Sequence, residues 1–305
     1  MRPVVIGTRA SALSRCQTEL VRQQLAQRFP ERTFELKLLT AQADRNPELP
    51  LTAMSGEGVF VKELEAALVA GEVDLAVHSL KDLPTQISDG LTLAAITRRE
   101  DPRDALVSRS GASLTELPDG ARVGTSSLRR RSQLQHARRG LAMLDIRGNV
   151  DTRLRKLDEG RYDAIVLAAC GLIRLGLDGQ ITQYLEPEVM LPEPGQGAVA
   201  IEARARDAEL VRMLAQLDDA DTRACVEAER AFLRCLGGGC RVPIAALGRI
   251  EAGGLRLDGA VLDPDGSRRL GGRQAGRPNE ADVVGQRLAR EMLAQGAADL
   301  LKSHE

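Results

Sequence analysis

Short apolar runs alternate with amphipathic segments along the first two-thirds of the chain, and the spacing of the apolar positions switches accordingly. Val4–Ile6 is a continuous apolar run of strand character, and Ser11–Arg28 carries Leu13, Leu20, Val21 and Leu25 on one helical face. Phe34–Leu39 predicts a second strand, and Val61–Ala70 a helix closed by Gly71. Val73–Val77 and Leu91–Ile96 predict two more strands. The pattern then restarts: strand Arg122–Thr125, helix Ser126–Arg138, strand Leu141–Ile146, helix Asn149–Glu159, strand Ala164–Ala169. Such alternation predicts parallel or mixed sheets with helices on both faces, and its repetition predicts two α/β domains across a cleft. The polar stretch Thr97–Arg103 and the segment Leu191–Gly197 are the expected crossings, with Ala198–Ala203 returning to the first domain.

From about Ala220 the character changes. A helix over Ala220–Leu236 leads to Gly237-Gly238-Gly239-Cys240, and alternating runs follow at Ile244–Ile250, Leu255–Leu262 and Ser267–Gly272. A final helix is expected over Glu280–Lys302. The expected division is a discontinuous first domain (1–97 with 198–216), a second (103–191), and a small α+β domain with an antiparallel sheet (220–305).

Composition narrows the function. The 305 residues include 43 acidic and 42 basic side chains, so the chain is no general coat for nucleic acid. Only Phe29, Phe34, Phe60, Phe232, Tyr162 and Tyr184 are aromatic, which leaves no series of stacking platforms for single strands. No apolar run is long enough to span a membrane. The N-terminus enters a strand-like run without a signal peptide's features, so a cytoplasmic protein is expected. Five cysteines without a CxxC pair fit free thiols in a reducing compartment. With histidine only at 78, 136 and 304, a His-based metal site is not expected, and neither is a Ser-His-Asp hydrolase. No coiled coil or long apolar stripe stands out, and a monomer is expected. Among the basic residues only Lys37, Lys62, Lys81, Lys156 and Lys302 are lysine. The arginine excess becomes chemical only where a guanidinium can grip a carboxylate or phosphate with two parallel bonds.

Four segments offer that. Gly7-Thr8-Arg9-Ala10-Ser11, His78-Ser79-Leu80-Lys81-Asp82, Gly124-Thr125-Ser126-Ser127-Leu128-Arg129-Arg130 and Arg147-Gly148-Asn149-Val150-Asp151-Thr152-Arg153 each follow an expected strand. Ligands of open α/β sheets bind beyond the carboxyl ends of strands. Ser and Thr at a helix start are ordinary caps, so one such segment means little. Four together, three with arginine, predict a cleft for a ligand with several carboxylates or phosphates. Asp82 among these cations reads either as a surface ion pair with Lys81 or as a carboxylate stabilising a developing cation. Cys240 follows three glycines and precedes Arg241, which favours a thiolate with room beside it.

These segments together resemble the porphobilinogen deaminases (hydroxymethylbilane synthases). The likeness extends through Phe60-Val61-Lys62-Glu63-Leu64-Glu65, Glu100-Asp101-Pro102-Arg103-Asp104, Gly195-Gln196-Gly197-Ala198 and Glu229-Arg230 to Gly238-Gly239-Cys240, nearly the whole chain. The resemblance implies two domains like type II periplasmic binding proteins and a third bearing a cysteine loop. It implies a transferase that joins four porphobilinogen units head to tail, releasing ammonia, on a dipyrromethane cofactor held through a thioether.

By that resemblance Cys240 is the tether. Ser11, Lys81, Asp82, Thr125, Ser127, Arg129, Arg130 and Arg147 fall on cofactor-binding positions. Arg9, Gln17, Phe60, Arg147, Arg153 and Arg174 fall on substrate-binding ones, and Asp82, assisted by Arg9, is the catalytic carboxylate. No metal is implied. The chain departs from many relatives at Glu57, where they carry Lys, and at Ala53, where some carry a basic residue. Both lie in 46–59, expected to be a mobile loop whose side chains have no binding role here. His78, preceded by apolar Val77, is expected to be structural. Two other classes compete: a small-anion binding protein with two α/β lobes and no catalysis, and a cysteine hydrolase, which would need a base near Cys240.

Overall fold

The computed structural model describes residues 2–39, 61–238 and 242–302. The chain divides into two compact units, Met1–Glu100 with Gly197–Arg223, and Asp101–Gln196 with Ala224–Glu305.

The first unit holds a five-stranded sheet in the order Phe34–Leu39, Val4–Arg9, Leu75–Ser79, Val199–Arg204, Leu91–Ile96. Val4–Arg9 runs parallel to both its neighbours, and Val199–Arg204 is antiparallel to both of its own. Ile6, Leu75, Val77 and Ile201 meet Val21 and Leu25 of the helix Ala12–Arg28 on one face. Leu64 and Leu68 of the helix Lys62–Val69 cover Val73 and Ala76 on the other. Both faces are therefore buried, which is why these strands read as near-continuous apolar runs.

Arg204, itself buried, ties the sheet to its surroundings. It donates to the carbonyls of Leu68 and Val73 at 2.7 and 2.6 Å and to Asp74 at 3.0 Å. Asp74 also accepts from the backbone N–H of Val5 at 2.9 Å and from Arg2.

The second unit repeats the plan with Ala142–Leu144, Arg122–Gly124, Ala164–Ala168, Asp104–Ser108 and Gln183–Leu185. Again the first three strands are parallel and the fourth is antiparallel to its neighbours. In each sheet the antiparallel strand follows closely on a crossing, since Asp104–Ser108 comes just after Glu100 and Val199–Arg204 just after Gln196. Two strands escape the sequence pattern. Asp104–Ser108 contains only three apolar residues, and Gln183–Leu185 is three residues long.

The C-terminal part of this unit is a three-stranded antiparallel sheet, Ile244–Glu251, Gly254–Leu262 and Arg269–Gly276. Phe232 of the helix Ala220–Cys235 and Leu288 and Met292 of Ala281–Ala294 fill its core. The two helices approach closely at Gly285, where a Cβ would stand 2.2 Å from the Ala228 carbonyl oxygen. The expected single helix over 280–302 is instead two, Ala281–Ala294 and Ala297–Lys302. Gly296 breaks it with φ +94°, a conformation that side chains with a Cβ resist. Leu191 packs with Ala245, Leu247, Ala260 and Leu262 on the opposite face. The buried Glu229 accepts from the N–H groups of Gly195 and Gly248, both at 2.7 Å. No helix among the described residues is long and apolar enough to cross a membrane.

Candidate active site

In the first unit the predicted residues gather at one edge of the sheet. Val4–Arg9 and Leu75–Ser79 are parallel, so Arg9 and the segment after Ser79 leave the sheet at the same end. Ser11 caps the helix Ala12–Arg28, its hydroxyl accepting from the N–H of Ser14 and donating to the Ser14 hydroxyl at 2.7 Å. Gln17, one turn further and buried, donates to Ser79 Oγ at 3.0 Å and so joins that helix to the strand end. Lys81 and Asp82 sit in a single 3-10 turn, Leu80–Asp82, pinned where the Leu80 N–H donates to the Ala198 carbonyl. Both are partly buried, as is Arg9. His78 lies inside the sheet, its Nε2 3.2 Å from Glu202 Oε2 with both side chains buried, in keeping with a structural role.

In the second unit the carboxyl ends of Arg122–Gly124, Ala142–Leu144 and Ala164–Ala168 share one edge, and antiparallel pairing of Asp104 with Ala168 brings the start of Asp104–Ser108 to it. Thr125 and Ser127 build the turn into the helix Leu128–Ala137. Thr125 Oγ1 accepts from the Ser127 N–H at 3.2 Å, and the Ser127 hydroxyl caps the helix by accepting from the Arg130 N–H. The Ser126 hydroxyl donates to the Ile146 carbonyl at 2.9 Å and accepts from the Ile146 N–H at 3.0 Å. Arg147 precedes the helix Val150–Asp158, and Arg153 on that helix donates from Nε to the Gly148 carbonyl at 2.7 Å. Arg174 ends the short helix Ala169–Arg174 that follows Ala164–Ala168.

Arg129 and Arg130, expected on cofactor-binding positions, are both buried, and both share Asp104. Arg129 Nη1 donates to Asp104 Oδ2 at 2.7 Å and to the Leu191 carbonyl at 2.8 Å. Arg130 Nε donates to Asp104 Oδ1 at 2.9 Å and its Nη1 to the Val166 carbonyl at 3.2 Å. Burial alone would raise the Asp104 carboxyl, but the charges of Arg129 and Arg130 outweigh it and hold it well below the usual carboxylate range. The same region drives Arg153 the other way. Burial first, then repulsion by Arg130 and Arg147, pulls its guanidinium down to about 10.

The lowered guanidinium of Arg153 marks a part-buried place where several positive charges stand near one another. Arg129 Nε–H is moreover buried without a hydrogen-bond partner. An orphaned donor beside several guanidiniums suits a ligand that carries carboxylates.

Cys240, Phe60, Glu57 and Ala53, with the segment 46–59, lie outside the described residues. Among the described residues no cluster of His, Cys, Asp and Glu could hold a metal ion. Asp104 is the residue that sequence reasoning gave no role. The motif Glu100–Asp104 was visible, but nothing in it distinguishes Asp104 from Asp101, whose partner is Arg103 at 2.7 Å.

Two family models match in succession. "Porphobilinogen deaminase, dipyromethane cofactor binding domain" covers residues 4–212, and "Porphobilinogen deaminase, C-terminal domain" covers 223–294. The porphobilinogen deaminase of Roseiflexus sp. (strain RS-1) is 51% identical over 298 residues, 98% of this chain and 98% of its own. That of Nitrosomonas europaea is 47% identical over 300 residues, covering 98% of this chain and 97% of its own. Among solved structures, the second substrate binding domain of a putative amino acid ABC transporter from Streptococcus pneumoniae aligns with a TM-score of 0.43 at 15% identity, over 77% of this chain and 95% of that one. So slight a likeness bears on neither activity nor ligand. The matches over both parts of the chain are decisive: it belongs to the porphobilinogen deaminase family, transferases of tetrapyrrole biosynthesis with a dipyrromethane cofactor.

Proposed function

We propose that the basic residues of the predicted segments, the arginines of the second unit foremost, hold the acetate and propionate groups of a dipyrromethane primer and of incoming porphobilinogen, with Asp82 as the catalytic carboxylate. The enzyme joins four porphobilinogen molecules head to tail, releasing ammonia, to give the linear tetrapyrrole hydroxymethylbilane. The observation that supports the assignment of sites is that Arg129 and Arg130 are buried with the single carboxylate of Asp104 between them, while the Nε–H of Arg129 has no hydrogen-bond partner and burial together with the charges of Arg130 and Arg147 lowers Arg153 close by. A fold selected for stability alone has no reason to collect them.

In this reading Ser11, Lys81, Thr125, Ser127, Arg129, Arg130 and Arg147 bind the primer, and Cys240 carries it through a thioether. When bound, the primer supplies the terminal pyrrole carbon to which the first substrate unit joins. Arg9, Gln17, Phe60, Arg147, Arg153 and Arg174 bind substrate. The Asp82 carboxylate accepts from the pyrrole N–H and stabilises the cation that forms on the substrate ring as ammonia leaves, an effect that is strong where water is scarce. Arg9 orients the reacting ring beside it. We further propose a discontinuous first domain over 1–97 and 198–216, a second over 103–191 and a third over 220–305. The protein is taken to be a cytoplasmic monomer that binds neither nucleic acid nor membrane.

Intact mass spectrometry tests the reading. The purified active protein is expected to be heavier than its sequence by two linked pyrroles, and Cys240→Ser to lose that addition. An unmodified mass in active protein removes the tether, and an addition that survives Cys240→Ser moves it to another cysteine.

A further inference from the structure

Asp104 has no exposed surface, yet it is the point where three side chains of the second unit converge. Its oxygens receive Arg129 Nη1 at 2.7 Å and Nη2 at 3.3 Å, Arg130 Nε at 2.9 Å and Nη2 at 2.8 Å, and Gln196 Nε2 at 3.1 Å. One carboxylate between two guanidiniums leaves a surplus of one positive charge in a buried place. It also fixes direction. Arg130 is gripped through Nε and Nη2 while Nη1 is held by the Val166 carbonyl, and Arg129 is gripped through both Nη atoms with Nη1 also on the Leu191 carbonyl. Neither guanidinium can turn without breaking bonds to Asp104.

A core that needed only cohesion would be served as well or better by apolar residues of similar volume, since taking three ions out of water is costly. Resting on the reading that Arg129 and Arg130 bind ligand carboxylates, we propose that Asp104 is a positioning residue: it sets the aim of both guanidiniums and the net charge they present to primer and substrate. Gln196, whose Nε2 also donates to the Pro102 carbonyl at 2.8 Å, holds the carboxylate itself in place.

The test is a double-mutant cycle on the full chain with Asp104→Asn, Arg130→Gln and the two combined. Three quantities are read: kcat/KM for porphobilinogen, primer occupancy by intact mass, and thermal melting. If Asp104 acts through Arg130, Asp104→Asn lowers kcat/KM at least ~10-fold or reduces primer occupancy, and the double variant is no worse than the poorer single within about twofold. Losses that multiply overturn the proposal. So does a cycle that is coupled in melting while kcat/KM and occupancy stay at wild-type values, because that is the signature of a purely structural pair.

Arg129→Gln and Arg130→Gln as single variants separate this inference from the reading beneath it. If both keep full primer and wild-type kcat/KM, the assignment of those arginines as binders is wrong. If they are impaired while folded Asp104→Asn is not, the role of Asp104 alone falls. Should Asp104→Asn fail to fold, Asp104→Glu keeps the charge and moves it by one methylene. It is expected to lose kcat/KM at least ~10-fold in a folded protein, and wild-type kinetics there also overturn the proposal.

Discussion

Arg153 offers the sharpest test of whether the cluster in the second unit exists for a ligand. Its guanidinium is partly buried and repelled by Arg130 and Arg147, which brings it well below the usual arginine range, to about 10. At about 1.4 kcal/mol per tenfold change, that displacement is about 3 kcal/mol against the charged form. Because the folded value is the depressed one, the penalty is present at every pH below about 10 and is relieved only as pH rises from there toward the unfolded value. Replacing Arg153 with Met removes the charge and keeps most of the stem's packing. It also removes the bond from Nε–H to the Gly148 carbonyl, worth about 1 kcal/mol. The net expectation is a gain of about 1–2 kcal/mol in a chain without primer, for which Cys240→Ser is the background. That corresponds to a rise in melting temperature of about 2 °C or more, unchanged from about pH 6 to about 9. If Arg153 binds ligand carboxylates as proposed, they offset the repulsion in the primer-bearing protein, so there the gain disappears while KM for porphobilinogen rises. A lowered melting temperature for Arg153→Met in the primer-free chain would refute the reasoning.

Three further outcomes are expected. Asp82→Asn lowers turnover by at least ~100-fold, the scale of losing one electrostatic stabiliser, with the added mass of the primer retained; steady-state kinetics near wild type would take Asp82 out of the mechanism. Glu229→Ala leaves the N–H groups of Gly195 and Gly248 without their buried acceptor and costs about 3 kcal/mol in urea unfolding. At Asp74, burial raises the carboxyl but Arg2, the Val5 N–H and Arg204 together hold it below its ordinary value of 3.8. The stability it contributes is present above that value and lost as pH falls through the lower folded one. Asp74→Asn therefore flattens the acid end of a stability–pH curve, and an unchanged acid limb would contradict that account.

Much of this was legible in the sequence because it depends on near neighbours. Ser11 and Ser127 marked helix starts, since a hydroxyl there satisfies an N–H within the next turn. The apolar runs around Ile6, Val77 and Val166 read as strands because both faces of each sheet are covered. Where the local pattern was too short it failed, as at Asp104–Ser108 and Gln183–Leu185, and the last helix was read through the turn that Gly296 makes. The ordered motifs from Arg9 to Cys240 were enough to identify the family.

What the arginines do was another matter. Their number and positions are properties of the sequence, and from these Arg129 and Arg130 read simply as ligand-facing cations. Only the tertiary structure decided that the two share one buried carboxylate. Asp104 lies 25 residues from Arg129 and reaches it because its strand pairs antiparallel with Ala164–Ala168. Charge can be counted along a chain. Its net value and direction at a site depend on which opposite charge the fold brings within three ångströms and withdraws from water, and no pattern of neighbouring residues encodes that.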